Sequence, residues 1–348
     1  MKKFLSIALA LLMVCVMLPV VALAAEKTAS TYEELKSAIS TANDGDTIKL
    51  LADIDLSQTI TVNKTITLNM NGKKLYNTSD LWDKPTAEDD NWSLISVRGS
   101  GNLTITGNGT FAAKENDCYA VDVQESATVT IKNGTFIGNI HAVYVFAGTA
   151  NVEGGTYSVQ QKYPDSAKGD EFVLNCYDAN RANGTAHINV TGGTFKNFNP
   201  ADNKAEGEGN NFADNSLVVQ KNNTVQNNDY YVGNAANEVI AAASKGEEIF
   251  VLNGTTLTNV PAGVIIQNRT GDRITVNGKD VELTGDAGYT VPASNITIIV
   301  PGDTTPAETP KTEDQKNPST GANDLVGLAV AAAVVAALGS AALLRKHD

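Results

Sequence analysis

Short runs in which apolar and polar residues alternate return along the middle of the chain, each followed by nearly the same tripeptide. Leu103-Thr104-Ile105 precedes Gly109-Thr110-Phe111, and Val129-Thr130-Ile131 precedes Gly134-Thr135-Phe136. Ala150-Asn151-Val152 precedes Gly155-Thr156-Tyr157, and His187-Ile188-Asn189-Val190 precedes Gly193-Thr194-Phe195. Ahead of each pair stands a further run: Leu94-Ile95-Ser96-Val97, Ala120-Val121-Asp122-Val123, Ala142-Val143-Tyr144-Val145 and Phe172-Val173-Leu174-Asn175-Cys176. A period of two turns one face of each run inward and predicts strands. The pattern returns at intervals of about 20 to 40 residues, the longest holding a polar insertion at 160–170, so the chain repeats a unit of two or three short strands. One such unit cannot bury its own apolar face, whereas units stacked about 4.8 Å apart bury a continuous core. A right-handed parallel β-helix meets both conditions. A two-sheet sandwich also has short strands and frequent turns, but gives no reason for one tripeptide to return at one place. Phe111, Phe136, Tyr157 and Phe195 are then expected to stack in a single column.

The ends of such a stack need covers. Thr31-Tyr32-Glu33-Glu34 reads as a capping box, and Leu35, Ala38, Ile39 and Ala42 follow at helical spacing before Gly45, which predicts a capping helix over 31–43. Strands are expected next at 46–51, 59–62 and 65–70, with Asn71-Gly72-Lys73 as a turn. Val239, Ile240, Ala243, Gly246, Glu247, Ile249, Val251 and Leu252 repeat the order of Ala38, Ile39, Ala42, Gly45, Asp46, Ile48, Leu50 and Leu51, and Asn277-Gly278-Lys279 repeats the turn. This copy predicts a second, smaller module. The fold class is thus all-β: a right-handed parallel β-helix solenoid with an N-terminal capping helix and a smaller C-terminal β module, the first over 25–228 and the second over 229–300.

The two ends of the chain carry a different pattern. Lys2 and Lys3 precede an apolar stretch at 4–23, and Ala22-Leu23-Ala24 has small residues where a signal peptidase reads them, so residues 1–24 form a secretory signal peptide cut between Ala24 and Ala25. At the other end Asn317-Pro318-Ser319-Thr320-Gly321 is followed by an apolar segment, 325–344, just long enough to span a bilayer core, and then by Arg345 and Lys346. Residues 301–316, with three Pro and no large apolar residue, read as an extended wall-spanning linker. The arrangement over 317–348 resembles the cell-wall sorting signal of Gram-positive surface proteins, with Asn in place of the usual leading Leu. The resemblance implies a sortase transpeptidase as partner, attack on the Thr320 carbonyl, release of Gly321 with the tail, and covalent transfer to peptidoglycan. The C-terminal segment would insert only transiently in the membrane, and a chain that escaped sorting would stay anchored there. The expected location is therefore the extracellular cell wall.

Composition supports both readings. Of 348 residues, 35 are Asn and 35 Thr, which favour tight turns and strands respectively. The formal net charge of −13, with Lys plus Arg at 26 against 39 Asp plus Glu, argues against nucleic acid as a partner. Cys118 and Cys176 fall two repeats apart, roughly 10 Å, too far for a disulfide.

The stretch from 31 to about 233 resembles the pectin-lyase-like β-helix domains of surface proteins from gut Firmicutes. That resemblance implies a fold hosting pectate lyases, polygalacturonases and tailspike glycosidases, but not a particular activity. The motifs of those enzymes are missing: His141 is followed by Ala, His187 falls in a strand pattern, and Arg273-Ile274-Thr275 lies in the second module. His141 and His187 are read as strand residues. The best carboxylate groupings are Asp89 with Asp90, Asp117 with Asp122, and Asp170 and Glu171 with Asp178, all read as solvated faces and turns. No catalytic residue and no metal ligand is assigned, no cofactor is expected, and the acidic balance leaves a weak calcium site open. Trp82 and Trp92, flanking an acidic loop at 84–90, are the candidate glycan contacts. The reading is a non-enzymatic adhesin or glycan-binding stalk with a host or environmental glycan or protein as ligand; a surface-held polysaccharide lyase or glycoside hydrolase is the alternative.

Overall fold

Leu103 and Ile105 in Asn102–Thr106, like Val129 and Ile131 in Thr128–Ile131, are fully buried, while the residues between them face outward. Strands, many of them alternating in this way, make up most of the regular structure among the described residues. The computed structural model describes residues 24–82, 92–161, 172–201, 210–212, 216–221, 229–234, 240, 243–252, 256–270, 272–282 and 288–293. Successive strands from Thr47–Leu50 to Gly193–Lys196 go in turn to an eight-stranded, an eleven-stranded and a five-stranded sheet, so every third strand returns to the same sheet. Between neighbouring repeats every pairing is parallel and in register, as in Thr104 with Thr130 with Asn151 with Asn189. The protein is all-β, with extensive parallel sheets.

The tripeptide has a physical explanation in this register. Phe136 pairs with Phe111 and with Tyr157, and Tyr157 with Phe195. Their rings stack at centroid distances of 4.8, 5.1 and 5.1 Å, within 13° of parallel, and none is exposed. The Tyr157 hydroxyl donates to the Gly154 carbonyl at 2.5 Å, which satisfies the one polar atom in the column. Gly134, Gly155 and Gly193 have φ of 119°, 104° and 122°, a region closed to residues with a Cβ. The acidic composition is used between repeats. Asp44 accepts from the Thr65 N–H, Asp53 from Lys74 and Asp55 from Thr78, each at 2.9 Å, so turn carboxylates satisfy donors of the next repeat.

The N-terminal helix runs Tyr32–Ser40, shorter than the expected 31–43. Thr31 Oγ1 accepts from the Glu34 N–H, and the Glu34 carboxylate accepts from the N–H of Ser30 rather than that of Thr31. The Lys64 ammonium ends the helix by donating to the carbonyls of Ser40 and Ala42 at 2.6 and 2.7 Å. A strand that the pattern did not announce, Glu26–Ala29, pairs in parallel with Thr47–Leu50 and closes that sheet edge.

The second module continues the first. Asp229–Asn234 pairs antiparallel with Gly193–Lys196, then Ser216–Lys221, Glu248–Val251, Ile265–Asn268 and Tyr289–Thr290 extend the same eleven-stranded sheet. Val218, Val232 and Phe250 point into the first core, whereas Val219, Ile249, Val251 and Ile266 belong to a second core. The internal copy is detailed. Gly45 and Gly246 have φ of 92° and 84°, and Asn43 and Ser244 donate their N–H to the carboxylates of Asp46 and Glu247 at 2.9 and 2.7 Å. Most of the second helical opening, 235–239 and 241–242, lies outside the described residues.

Candidate functional site

On the five-stranded sheet, Val121 and Val123 point into the core, so Asp122 between them belongs to the outer face. Ser96, Asp122, Tyr144 and Asn175 are register partners there. Arg98, Gln124, Phe146 and Tyr177 continue the backbone ladder two residues further on, their N–H groups donating to Val62, Val97, Val123 and Val145. Side chains tie the two rows together: Arg98 Nε donates to Ser96 Oγ at 3.1 Å, Ser96 Oγ donates to Asp122 at 3.1 Å, and Gln124 Nε2 donates to both Asp122 oxygens at 2.8 and 2.9 Å. At one end Phe146 and Tyr177 stack at 4.8 Å and are 39% and 43% exposed.

Rings cover the other side of this face. Trp82 meets Trp92 edge-on at 4.0 Å and Tyr119 at 5.5 Å, and Tyr119 lies 4.9 Å from His141 and 5.2 Å from Tyr144. His141 stacks on Tyr144 at 5.4 Å. The two tryptophans singled out in the sequence are thus together; Trp92 is exposed and Trp82 is half-buried against the core. The acidic loop between them, 84–90, lies outside the described residues.

Two readings of the carboxylates require correction. Asp117 and Asp122 are buried, not solvated. Asp117 accepts from Asn77 Nδ2 at 2.6 Å and from the backbone N–H groups of Leu81 and Trp82 at 2.9 Å, so it fixes the turn that carries the Trp82 ring. Asp122 is held by Ser96 and Gln124. Asp178 opens a short helix, Asp178–Ala182, and lies 3.5 Å from Arg181. Asp89, Asp90, Asp170 and Glu171 are outside the described residues.

His141, expected in a strand, lies instead in the connection ahead of Val143–Val145. Its Nδ1 is 2.7 Å from the Phe172 carbonyl, an acceptor only, so Nδ1 carries the proton and Nε2 accepts from Asn175 Nδ2 at 3.0 Å. Burial pushes its pKa down to about 4. Asn175 Oδ1, buried, has no partner. His187 does lie in a strand, Ala186–Val190. Cys118 and Cys176 are buried and are not joined to each other in a disulfide, and burial raises the Cys118 thiol's pKa. Among the described residues no three His, Cys, Asp or Glu converge as a metal would need, and no helix is long and apolar enough to cross a membrane. The segment 325–344, the motif residues Asn317, Pro318, Ser319, Thr320 and Gly321, and Ala22 lie outside the described residues, while Ala24 and Ala25 are within them.

Sequence reasoning missed Arg98, Tyr119, Gln124, Tyr144, Phe146, Asn175 and Tyr177. The signal was present as alignment: each residue of a row holds the same offset in its repeat, and only stacking turns that offset into a neighbour. Comparison of the chain with known protein families, curated proteins and solved structures finds no match.

Proposed function

We propose that this protein is a secreted, wall-anchored surface protein whose right-handed parallel β-helix presents a glycan-binding face without cleaving its ligand. The cycling of strands among three sheets supports the solenoid, and parallel crossovers are right-handed in nearly all proteins. The single observation that carries the binding role is the outer face of the five-stranded sheet. Polar side chains held in fixed rows lie there between two groups of rings, Trp82 with Trp92 and Phe146 with Tyr177. Rings stack on sugar faces while amides, a guanidinium and hydroxyls meet sugar hydroxyls. Asp117 and Asp122 are occupied as internal acceptors, which supports binding over hydrolysis, since a glycosidase needs two carboxyls flanking a bond. Signal peptidase would cut after Ala24, the linker 301–316 would cross the wall, and sortase would join Thr320 to peptidoglycan.

A glycan array probed with the full chain tests the binding role. Replacing Trp92→Ala together with Tyr177→Ala is expected to weaken binding by about tenfold or more with an unchanged melting temperature. Steady release of reducing ends or unsaturated uronate, abolished by Asp122→Asn in a folded protein, would instead establish the enzyme. For anchoring, Thr320→Ala with Gly321→Ala is expected to move the protein from the wall fraction to the membrane or medium; continued release only by wall hydrolases counts against sortase.

A further inference from the structure

A second surface, on the eleven-stranded sheet, has the makings of another site. Thr110, Thr135, Thr156 and Thr194 are register partners one residue before the buried ring column, so their side chains lie on the opposite, outer face. Across the antiparallel step Thr194 pairs with Tyr231, which is 38% exposed. The row from Thr110 to Tyr231 therefore spans four ladder steps, roughly 19 Å. Beside it, a cavity of about 610 Å³ is lined by Asn133, Thr135, Glu153, Thr156, Thr194 and Tyr231, among others, within the size range of ligand sites. It lies along Thr135, Thr156 and Thr194, between the glycine turns at 154–155 and 192–193 and the antiparallel strand that carries Tyr231.

The chemistry of the lining limits the occupant. Hydroxyls and amides dominate, so an apolar ligand gains little. Among the described lining residues the carboxylate is Glu153, exposed and 3.7 Å from the Lys132 ammonium; that pair leaves no net positive charge for an anionic polymer, and the chain's formal net charge of −13 repels one. An extended peptide would add to a free sheet edge, and this is a sheet face. We propose that the groove binds a neutral, extended oligosaccharide, with the threonine hydroxyls along its length and a sugar ring stacked on Tyr231. With the face proposed above, on which only this last step rests, the protein would then hold two glycan chains at once.

Titration calorimetry of the full chain with neutral hexasaccharides of glucose, mannose and xylose, and with a polygalacturonate oligomer as anionic probe, decides the matter. The expected result is two sites for one neutral hexasaccharide, falling to one in Thr156→Val with Tyr231→Ala while circular dichroism and melting stay unchanged. Tyr231→Leu, which keeps apolar bulk but removes the ring, should weaken the same site by about tenfold. A single site lost with Trp92→Ala and Tyr177→Ala, but untouched by the groove changes, overturns the groove. A single site with the reverse pattern keeps the groove and overturns the five-stranded face. Preference for polygalacturonate, or no neutral sugar bound at all, overturns the groove as well.

Discussion

At the scale of single residues, His141 shows how a polar group is fitted to an enclosed place. Its ring lies among Tyr119, Tyr144 and Phe172, with one nitrogen donating and the other accepting. A second proton would set N–H against the Asn175 amide donor. The unfolded chain takes up that proton near pH 6.5, the folded one only near pH 4. The stability contribution is therefore complete above about 6.5 and is lost as pH falls through about 4, on the order of 3 kcal/mol in all. Denaturant midpoints measured across that window should fall less steeply for His141→Gln than for the natural protein; equal slopes would show that His141 is not the group responsible. Asp46 illustrates a different dependence. Its carboxylate accepts from the backbone nitrogens of Ala25, at 2.8 Å, and Asn43, which hold its pKa below the ordinary range. Were cleavage to fall after Ala24, the Ala25 nitrogen would become an ammonium facing the same carboxylate. A chain beginning at Ala25 is then expected to melt higher than one retaining residues 1–24, and Asp46→Asn should close most of that gap.

Elements in this protein are stable as members of a column, not singly. The strand Thr135–Gly138 is four residues long, and its Phe136 ring touches a ring on each side. Phe136→Ala is expected to cost about 3–5 kcal/mol, because neighbours held by their own ladders cannot collapse into the cavity. Thr135→Val on the outer face should stay within about 0.5 kcal/mol. Equal effects of the two changes on the urea midpoint would contradict the inward and outward assignment. Directional ladders act on the eight-stranded sheet too: Asn189 donates to Asn151 at 2.8 Å and Asn151 to Thr130 at 3.3 Å, so the Asn and Thr enrichment reflects stacking as well as turns.

For the whole molecule, the decisive feature is one sheet bearing two cores. Within the eleven-stranded sheet Gly193–Lys196 ends the first run of parallel neighbours, and its other side is taken by the antiparallel strand Asp229–Asn234. Removing 229–293 would open that edge and uncover Phe195 and Phe198, both buried now. The truncated chain is expected to elute as aggregates in size-exclusion chromatography, whereas the full chain stays dispersed. A monodisperse truncated chain would show that the first core closes without the second module.

Periodicity and turn chemistry are local properties, and the strand pattern, the ring column, the N-cap at Thr31 and the second copy near Gly246 were legible from them. Burial of the carboxylates was not. Asp117 and Asp122 look like surface residues in sequence, and only the turn ending at Trp82 and the Ser96 and Gln124 neighbours enclose them. The seven missed residues of the five-stranded face lie far apart along the chain, and register alone brings them into rows. The antiparallel pairing of Asp229–Asn234 on Gly193–Lys196 had no local marker either, since it depends on an edge that exists only once the repeats have stacked. Sequence by itself determined which face of each strand turns inward, because that needs only alternation and a core; tertiary structure decided which outward residues meet, because that depends on contacts between repeats that no single repeat encodes.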